Sequence, residues 1–297
     1  MSAAPTVTDP IVRSEVTFTS GGERCAAWWY EPAAEPDGRA IVMANGYSLT
    51  RHDGLPAYAE RFAAAGFAVL LFDHRNLGDS GGALRQRFRA SEQQEDWRNA
   101  IAYAAGREGV EPGGIVLWGY SFAGGHVLEV ASRRDDLAAV IALCPFADGF
   151  RRVLATPPKL SAWILPRAFA DLAGRHNLIP VTAPPGEHGA MTLPGEAEGF
   201  AASVGPGSPW RNGISPGVFA TVATFRPVRR ARRISAPLWA GLGERDITVD
   251  PGAIERVASR APRGELHRYP YDHFEPLRGE AVERIASDQL EFLARVI

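Results

Sequence analysis

The sequence predicts an α/β fold: a mostly parallel eight-stranded sheet with helices on both faces and one long insertion between its sixth and seventh strands. Three observations carry this. Short apolar runs of strand length alternate with longer segments of helical pattern along most of the chain. One of them, Gly114-Ile-Val-Leu-Trp-Gly-Tyr-Ser121-Phe-Ala-Gly-Gly125, ends in a serine set among small residues. A buried strand that turns sharply into a helix, with the serine on the tip of the turn, has that pattern. The third observation is the stretch from Asp148 to Arg233, which breaks the alternation and is rich in proline and glycine.

The elements follow in order. Glu15 to Thr19 alternates polar and apolar, Ser20-Gly21-Gly22 turns, and Cys25 to Tyr30 runs apolar, which reads as an antiparallel hairpin. The six further strands are Ala40 to Ala44, Ala68 to Phe72, Ile115 to Trp118, Ala138 to Leu143, Pro237 to Leu242 and Leu266 to Tyr269. Between them, Leu55 to Ala65 is alanine-rich and stops at Gly66. Ser91 to Gly106 opens with a serine followed by Glu92, Gln93 and Gln94, a cap-like start. Ala123 to Arg134 is the helix after the serine turn. Glu280 to Ile297 places Val282, Ile285, Leu290, Leu293 and Ile297 at near-helical spacing and reads as a terminal helix docked on the sheet.

Residues 1–147 and 234–297 are therefore expected to form the core, and residues 148–233 a cap or lid. A structureless loop of that length inside a compact domain is uncommon unless it serves a function. The insertion carries Trp163, Phe169, Phe200, Trp210, Phe219 and Phe225, which either line an apolar acyl pocket or pack the cap onto the core.

With 297 residues, 45% of them hydrophobic, the chain can bury a large core. A formal net charge of −2 gives no electrostatic reason to expect nucleic acid or an anionic membrane as partner. Met1 to Pro10 has neither the basic nor the apolar region of a secretion signal, and no run approaches the roughly 20 apolar residues of a membrane-spanning helix. A cytoplasmic location is the expectation. Cys25 and Cys144 lack metal-ligand spacing and read as two reduced thiols. No phosphate-binding glycine loop or metal-ligand cluster is present, so no cofactor is implied.

A serine hydroxyl is a weak nucleophile at neutral pH. It needs a base within hydrogen-bond reach, and the base needs a carboxylate that fixes its tautomer. In an open α/β sheet these groups come from loops at the carboxyl ends of strands. After the seventh strand lies Gly243-Glu-Arg-Asp246-Ile-Thr-Val-Asp-Pro251, in which Asp246 is the best-placed acid and Glu244 and Asp250 compete. After the eighth lies Tyr271-Asp272-His273-Phe274, with His273 past the strand and His267 inside it. Ser121, Asp246, His273 is thus the expected catalytic set, in nucleophile–acid–base order. Two backbone N–H groups are needed for a developing oxyanion. Phe122 supplies one by its position after the serine, and Tyr47, in the turn Asn45-Gly46-Tyr47-Ser48, is the choice for the other.

Read together, these residues resemble the α/β-hydrolase superfamily, in particular its dienelactone hydrolase-like and acyl-peptidase-like bacterial branch. The segments that carry the resemblance are Met43 to Tyr47, Tyr58 to Gly81, the serine turn, Gly243 to Asp246, and Asp272 to Phe274. It extends over most of Val12 to Ile297 and is weakest in the insertion. Ala123, Asn45 and Asn76 depart from it, standing where glycine, histidine and glycine are usual, and Ser121 stands where dienelactone hydrolases carry cysteine. The resemblance implies a serine hydrolase of carboxylesterase or thioesterase type acting on a small-molecule ester, thioester or lactone. Acyl transfer or cyclisation on a natural-product, polyketide-like intermediate is the alternative use of the same machinery, and a silent ligand-binding fold the alternative of another class. A homodimer is compatible with it, though nothing identifies an interface.

Two further signals remain open. The run Arg226 to Arg233 either grips an anionic substrate such as a coenzyme A or carrier-protein thioester, or is a solvated junction between insertion and core. Arg51-His52-Asp53 either lines the site entrance or begins a helix.

Overall fold

The computed structural model describes residues 11–297 apart from residue 35, so Met1 to Pro10, the segment judged above for a secretion signal, lies outside the described residues. The hairpin is β1 (Arg13–Ser20) and β2 (Glu23–Tyr30), paired antiparallel with Phe18 opposite Cys25. The other strands are β3 (Ala40–Ala44), β4 (Ala68–Phe72), β5 (Ile115–Tyr120), β6 (Leu137–Leu143), β7 (Leu238–Gly243) and β8 (Gly264–Tyr269). They form one eight-stranded sheet in the order β1-β2-β4-β3-β5-β6-β7-β8. From β4 to β8 every neighbouring pair is parallel, and β2 joins β4 antiparallel.

That order places the site. The chain steps from β3 to β4 on one side and then crosses to β5 on the other, so the loops leaving β3 and β5 diverge beside each other. In register, Ala44 lies opposite Gly119, which brings the turn after Ala44 against Tyr120 and Ser121.

Parallel strands buried on both faces need two apolar layers. Alternate residues of β5 supply both: Val116, Trp118 and Tyr120 join one core, Ile115 and Leu117 the other. The first core is closed by α1 (Pro56–Ala64) and α9 (Gly279–Val296), through Phe62, Ile285 and Phe292. Trp118 Nε1 donates to Gln289 Oε1 at 3.0 Å, so its one polar atom is satisfied on the docked terminal helix. The second core is closed by α2 (Ala90–Ala105), α3 (Phe122–Ala131) and α8 (Pro251–Arg260), through Trp97, Val127 and Val257.

Two local expectations are corrected, and one helix is added. Helix α2 begins at Ala90 with extended Arg89 before it and no side-chain cap, so Ser91 is inside the helix rather than capping it. Helix α8 is an addition to the helices the sequence pattern names: Asp250 accepts Gly252 N–H at 3.0 Å, and Pro251 occupies the first helical position. Arg51-His52-Asp53 neither opens a helix nor faces a site entrance. Arg51 and Asp53 are buried, and α1 starts after Leu55 without a side-chain cap.

The insertion between β6 and β7 contains α4 (Gly149–Ala155), α5 (Pro158–Leu172), α6 (Glu196–Ser203), α7 (Val218–Thr221) and short 3-10 turns. Several of its polar bonds go to loops at the carboxyl ends of the strands. Trp210 Nε1 donates to Ser48 Oγ, Gly205 N–H to Asp53, and Thr248 Oγ1 bonds Glu196. Arg89 pairs with the buried Asp171. Among the described residues no helix is long and apolar enough to cross a membrane.

Candidate active site

The serine turn is as abrupt as its sequence implies. Ser121 sits between β5 and α3 with φ 56° and ψ −119°, in a left-handed region that costs an L-residue on the order of 1–3 kcal/mol. Its neighbours leave no room for a larger residue. A Cβ on Gly119 would run into the Ala123 carbonyl, and one on Gly46 would lie 2.7 Å from Ser121 Cβ. The Ser121 hydroxyl makes no capping bond to its own helix.

Ser121 Oγ is 2.9 Å from His273 Nε2, and His273 Nδ1 is 2.6 Å from Asp246 Oδ2. All three residues are buried. The other oxygen of Asp246 accepts the Thr248 and Val249 N–H groups at 2.8 and 3.1 Å, so the carboxylate is fixed in orientation. The competing acids go elsewhere. Glu244 is exposed, and Asp250 caps α8 while pairing with Arg151 and Arg256. His267 stays inside β8, stacked on Trp239 at 4.9 Å.

The turn after β3 is built by its own side chains. Asn45 Oδ1 accepts Gly46 N–H, while Asn45 Nδ2 donates to the Thr50 and Asp53 carbonyls at 2.9 and 2.6 Å. Asp53 accepts Thr50 N–H at 2.7 Å, and Asp73 accepts Arg51 N–H at 2.7 Å. Arg51-His52-Asp53, with Arg51 and Asp53 buried, is therefore the support of this turn. Among the described residues the Tyr47 N–H has no protein acceptor. Phe122 is the first residue of α3, so its N–H has no acceptor within the helix.

Ser121, Tyr47 and Phe122 border a cavity of about 570 Å³. The insertion supplies most of its wall: Ile164, Leu165 and Met191 with Val218 and Phe219. Phe146 and Ile247–Val249 come from the ends of β6 and β7. Charged groups are few, Arg152 and Lys159 against Glu187, with His188 beside them.

The comparisons with known proteins agree with this fold. Residues 21–162 match the X-Pro dipeptidyl-peptidase (S15) family. The quorum-quenching protein AidA of Acinetobacter baumannii is 38% identical over 288 residues, which is 95% of each chain. The crystal structure of the α/β hydrolase GrgF from Penicillium sp. sh18 superposes with a TM-score of 0.82 at 27% identity, over 96% of this chain and 99% of that one. This chain belongs to the α/β-hydrolase superfamily. A shorter likeness, 32% identity over 50% of this α/β hydrolase and 48% of its relative, is to the thiohydrolase aneE of Aspergillus aculeatus.

Four features of the site escaped the sequence reading. Tyr120 Oη donates to the His273 carbonyl at 2.6 Å, pinning the loop that carries the imidazole, and its ring packs 5.1 Å from that imidazole. Asp272 accepts the Phe274 and Glu275 N–H groups, closing the same loop from the other side. Cys144, at φ 45°, has its sulfur within 4.8 Å of donor atoms of Asp246 and His273. Burial, then the Asp246 charge, pushes this thiol well above its ordinary pKa, so it stays protonated. A cation seated among these three would have to break the His273–Asp246 bond. Lastly, the Tyr47 hydroxyl is buried with no hydrogen-bond partner among the described residues, and burial raises its pKa well above the usual phenol value. A residue pattern signals none of these, because each depends on which loops the sheet order juxtaposes.

Proposed function

We propose that this α/β hydrolase cleaves a carboxylic ester, thioester or lactone through an acyl-enzyme. The observation that carries the reading is the hydrogen-bonded line Ser121–His273–Asp246 opening into a mostly apolar cavity of about 570 Å³. That volume is within the range of small-molecule sites. His273 Nε2 takes the Ser121 proton as Oγ attacks the carbonyl carbon, and Asp246 holds the ring in the tautomer that leaves Nε2 free to accept. The Phe122 and Tyr47 N–H groups stabilise the oxyanion. The unpartnered Tyr47 hydroxyl is available to a polar atom of the substrate. As the tetrahedral intermediate collapses, His273 gives its proton to the departing alkoxide, thiolate or ring oxygen. Water then repeats the sequence and releases the acid. Residues 148–233 act as the cap, and their apolar side chains select the acyl part.

The matching peptidase family suggests cleavage of peptides, yet the cavity carries two cations against one acid. That balance disfavours the protonated terminus of a peptide. A second reading is supported by one relative, a polyketide transferase from Penicillium, 32% identical over 46% of each chain. In it the acyl-enzyme passes to a nucleophile other than water.

The test is Ser121→Ala against p-nitrophenyl esters of graded chain length, acyl thioesters and acylated γ-lactones. Turnover of the preferred substrate falls by about 10³-fold or more, leaving only oxyanion and binding contributions. Undiminished turnover sinks the assignment. A covalent acyl-acceptor product in place of the free acid identifies the transfer reading.

A further inference from the structure

Helix α4 has a second face. Arg152 and Val153 border the cavity beside Ser121, whereas Phe150, Arg151 and Leu154 border another of about 620 Å³, with walls from the 227–229 turn and α8. Five arginines line it: Arg151, Arg226, Arg229, Arg256 and Arg260. Two carboxylates answer them. Asp148 is buried and holds Arg226 through two bonds of 2.8 and 3.0 Å. Asp250 holds Arg151 at 2.7 Å and Arg256 at 3.1 Å.

Five cations against two anions leave an excess of three positive charges, in a chain whose formal net charge is −2. Among the described residues Arg229 and Arg260 have no carboxylate within 4.0 Å, and Arg260 makes only a 3.5 Å bond to the Val228 carbonyl. The basic run resolves into separate duties. Arg226 is neutralised at the seam, Arg230 pairs with Glu129 at 2.9 Å, and Arg229 is left facing the cavity.

The walls between these cations are apolar. Phe150 is 43% and Leu154 71% exposed, and the Arg226 guanidinium lies 4.8 Å from the Phe150 ring centroid. Like charges gathered in a concavity repel one another unless an anion joins them. Guanidinium forks match phosphate oxygens in pairs, and a hydrocarbon tail suits the apolar wall.

We propose that this cavity is a second ligand site, for a small organic phosphate. Arg229 and Arg260 bind the phosphate, and Phe150 with Leu154 covers the hydrocarbon part. The proposal is independent of the role given to Ser121.

The probe is hexyl phosphate, titrated calorimetrically into the full-length protein beside inorganic phosphate and hexanol. Hexyl phosphate binds more tightly than either. The Arg229→Ala/Arg260→Ala pair weakens it by about tenfold or more, from lost charge-assisted bonds. Both side chains are exposed, and an unchanged melting temperature verifies that the variant is folded. The Arg152→Ala/Lys159→Ala pair, in the wall of the other cavity, keeps the unmodified affinity. Equal binding by the Arg229/Arg260 variant overturns the site. Loss of binding in the Arg152/Lys159 variant relocates the ligand beside Ser121 and overturns it too. Equal affinity for hexanol or for inorganic phosphate overturns the ligand class.

Discussion

Adding one methyl group at Gly46 tests the whole geometry of the site. A Cβ there would lie 2.7 Å from Ser121 Cβ, 3.0 Å from the Tyr120 carbonyl oxygen and 3.2 Å from Ser121 Oγ. Carbon atoms in ordinary contact sit about 3.5–4.0 Å apart, so the overlap is roughly 1 Å. Neither neighbour can yield easily. Ser121 is held at φ 56° between a central strand and its helix, and Asn45 clamps the turn through three hydrogen bonds. If the serine moves, it loses its 2.9 Å bond to His273. If the turn moves, the Tyr47 N–H leaves its position. A displacement of about 1 Å costs on the order of 10²-fold in rate, about 2.7 kcal/mol of barrier. Overpacking takes a further 1–3 kcal/mol or so from stability. The assay is steady-state turnover of the preferred p-nitrophenyl ester by Gly46→Ala, with a melting curve. kcat falls about 100-fold while KM stays within about twofold, because the wall supplied by the insertion is untouched. Gly106→Ala is the control: its added Cβ meets the Ala102 carbonyl at an ordinary 3.4 Å at the end of α2, and activity is unchanged. If Gly46→Ala keeps more than about half of kcat, the proposed pairing of the Tyr47 turn with Ser121 is wrong.

The two aspartates after β7 separate by function. Asp246→Asn removes the acceptor that fixes the His273 tautomer and lowers kcat by about 10³–10⁴-fold, whereas Asp250→Ala loses the α8 cap, about 1 kcal/mol by chemical denaturation, and leaves kcat within about twofold. Reversed effects would reassign the acid. Asp73 sets a pH dependence of stability. Burial raises its pKa from 3.8 to about 6, against the opposing N–H bonds from Arg51 and Asp79, so the folded chain holds a proton that the unfolded chain releases. Its contribution therefore declines as pH rises from about 4 to about 6, by about 3 kcal/mol at most. Urea midpoints across that window fall less steeply for Asp73→Asn than for the unmodified chain, and parallel slopes contradict the assignment.

How much of this was legible depended on the range of the cause. The strand runs, the sharp turn at Ser121, and the order of Ser121, Asp246 and His273 are local patterns, and the structure brings those three side chains within bonding distance of one another. Helix α8 also has a local signature, in Asp250-Pro251 followed by Ala253, Ile254 and Val257. Arg51-His52-Asp53 could not be read. Its partners Asp73, Asp79 and Gly205 come from two other loops, and only the sheet order brings them together. Asn45 looked like a departure from the usual histidine, and the hydrogen bonds of the turn give its reason. A side-chain amide offers an acceptor to Gly46 and two donors to the 50–53 loop at once.

The same distinction bears on how selectivity can change in this fold. Core register fixes the proposed reacting atoms: Ala44 faces Gly119, Gly119 forbids a side chain, and the loops of β7 and β8 arrive with Asp246 and His273. None of these positions touches the far wall of the cavity, which is drawn from α4, α5, α7 and the 186–193 segment. The insertion is anchored to the core by a few polar bonds, among them Trp210 to Ser48, Gly205 to Asp53 and Arg89 to Asp171. Two of these three reach the loop that supports the Tyr47 turn. A substitution in the insertion that resizes the proposed acyl wall thus leaves the Ser121–His273 distance alone, while one that frees Trp210 or Gly205 disturbs the proposed oxyanion side as well. Changes of the first kind shift KM and chain-length preference at constant kcat. Changes of the second kind lower kcat for every substrate, and kinetics on two acyl lengths separates the two classes.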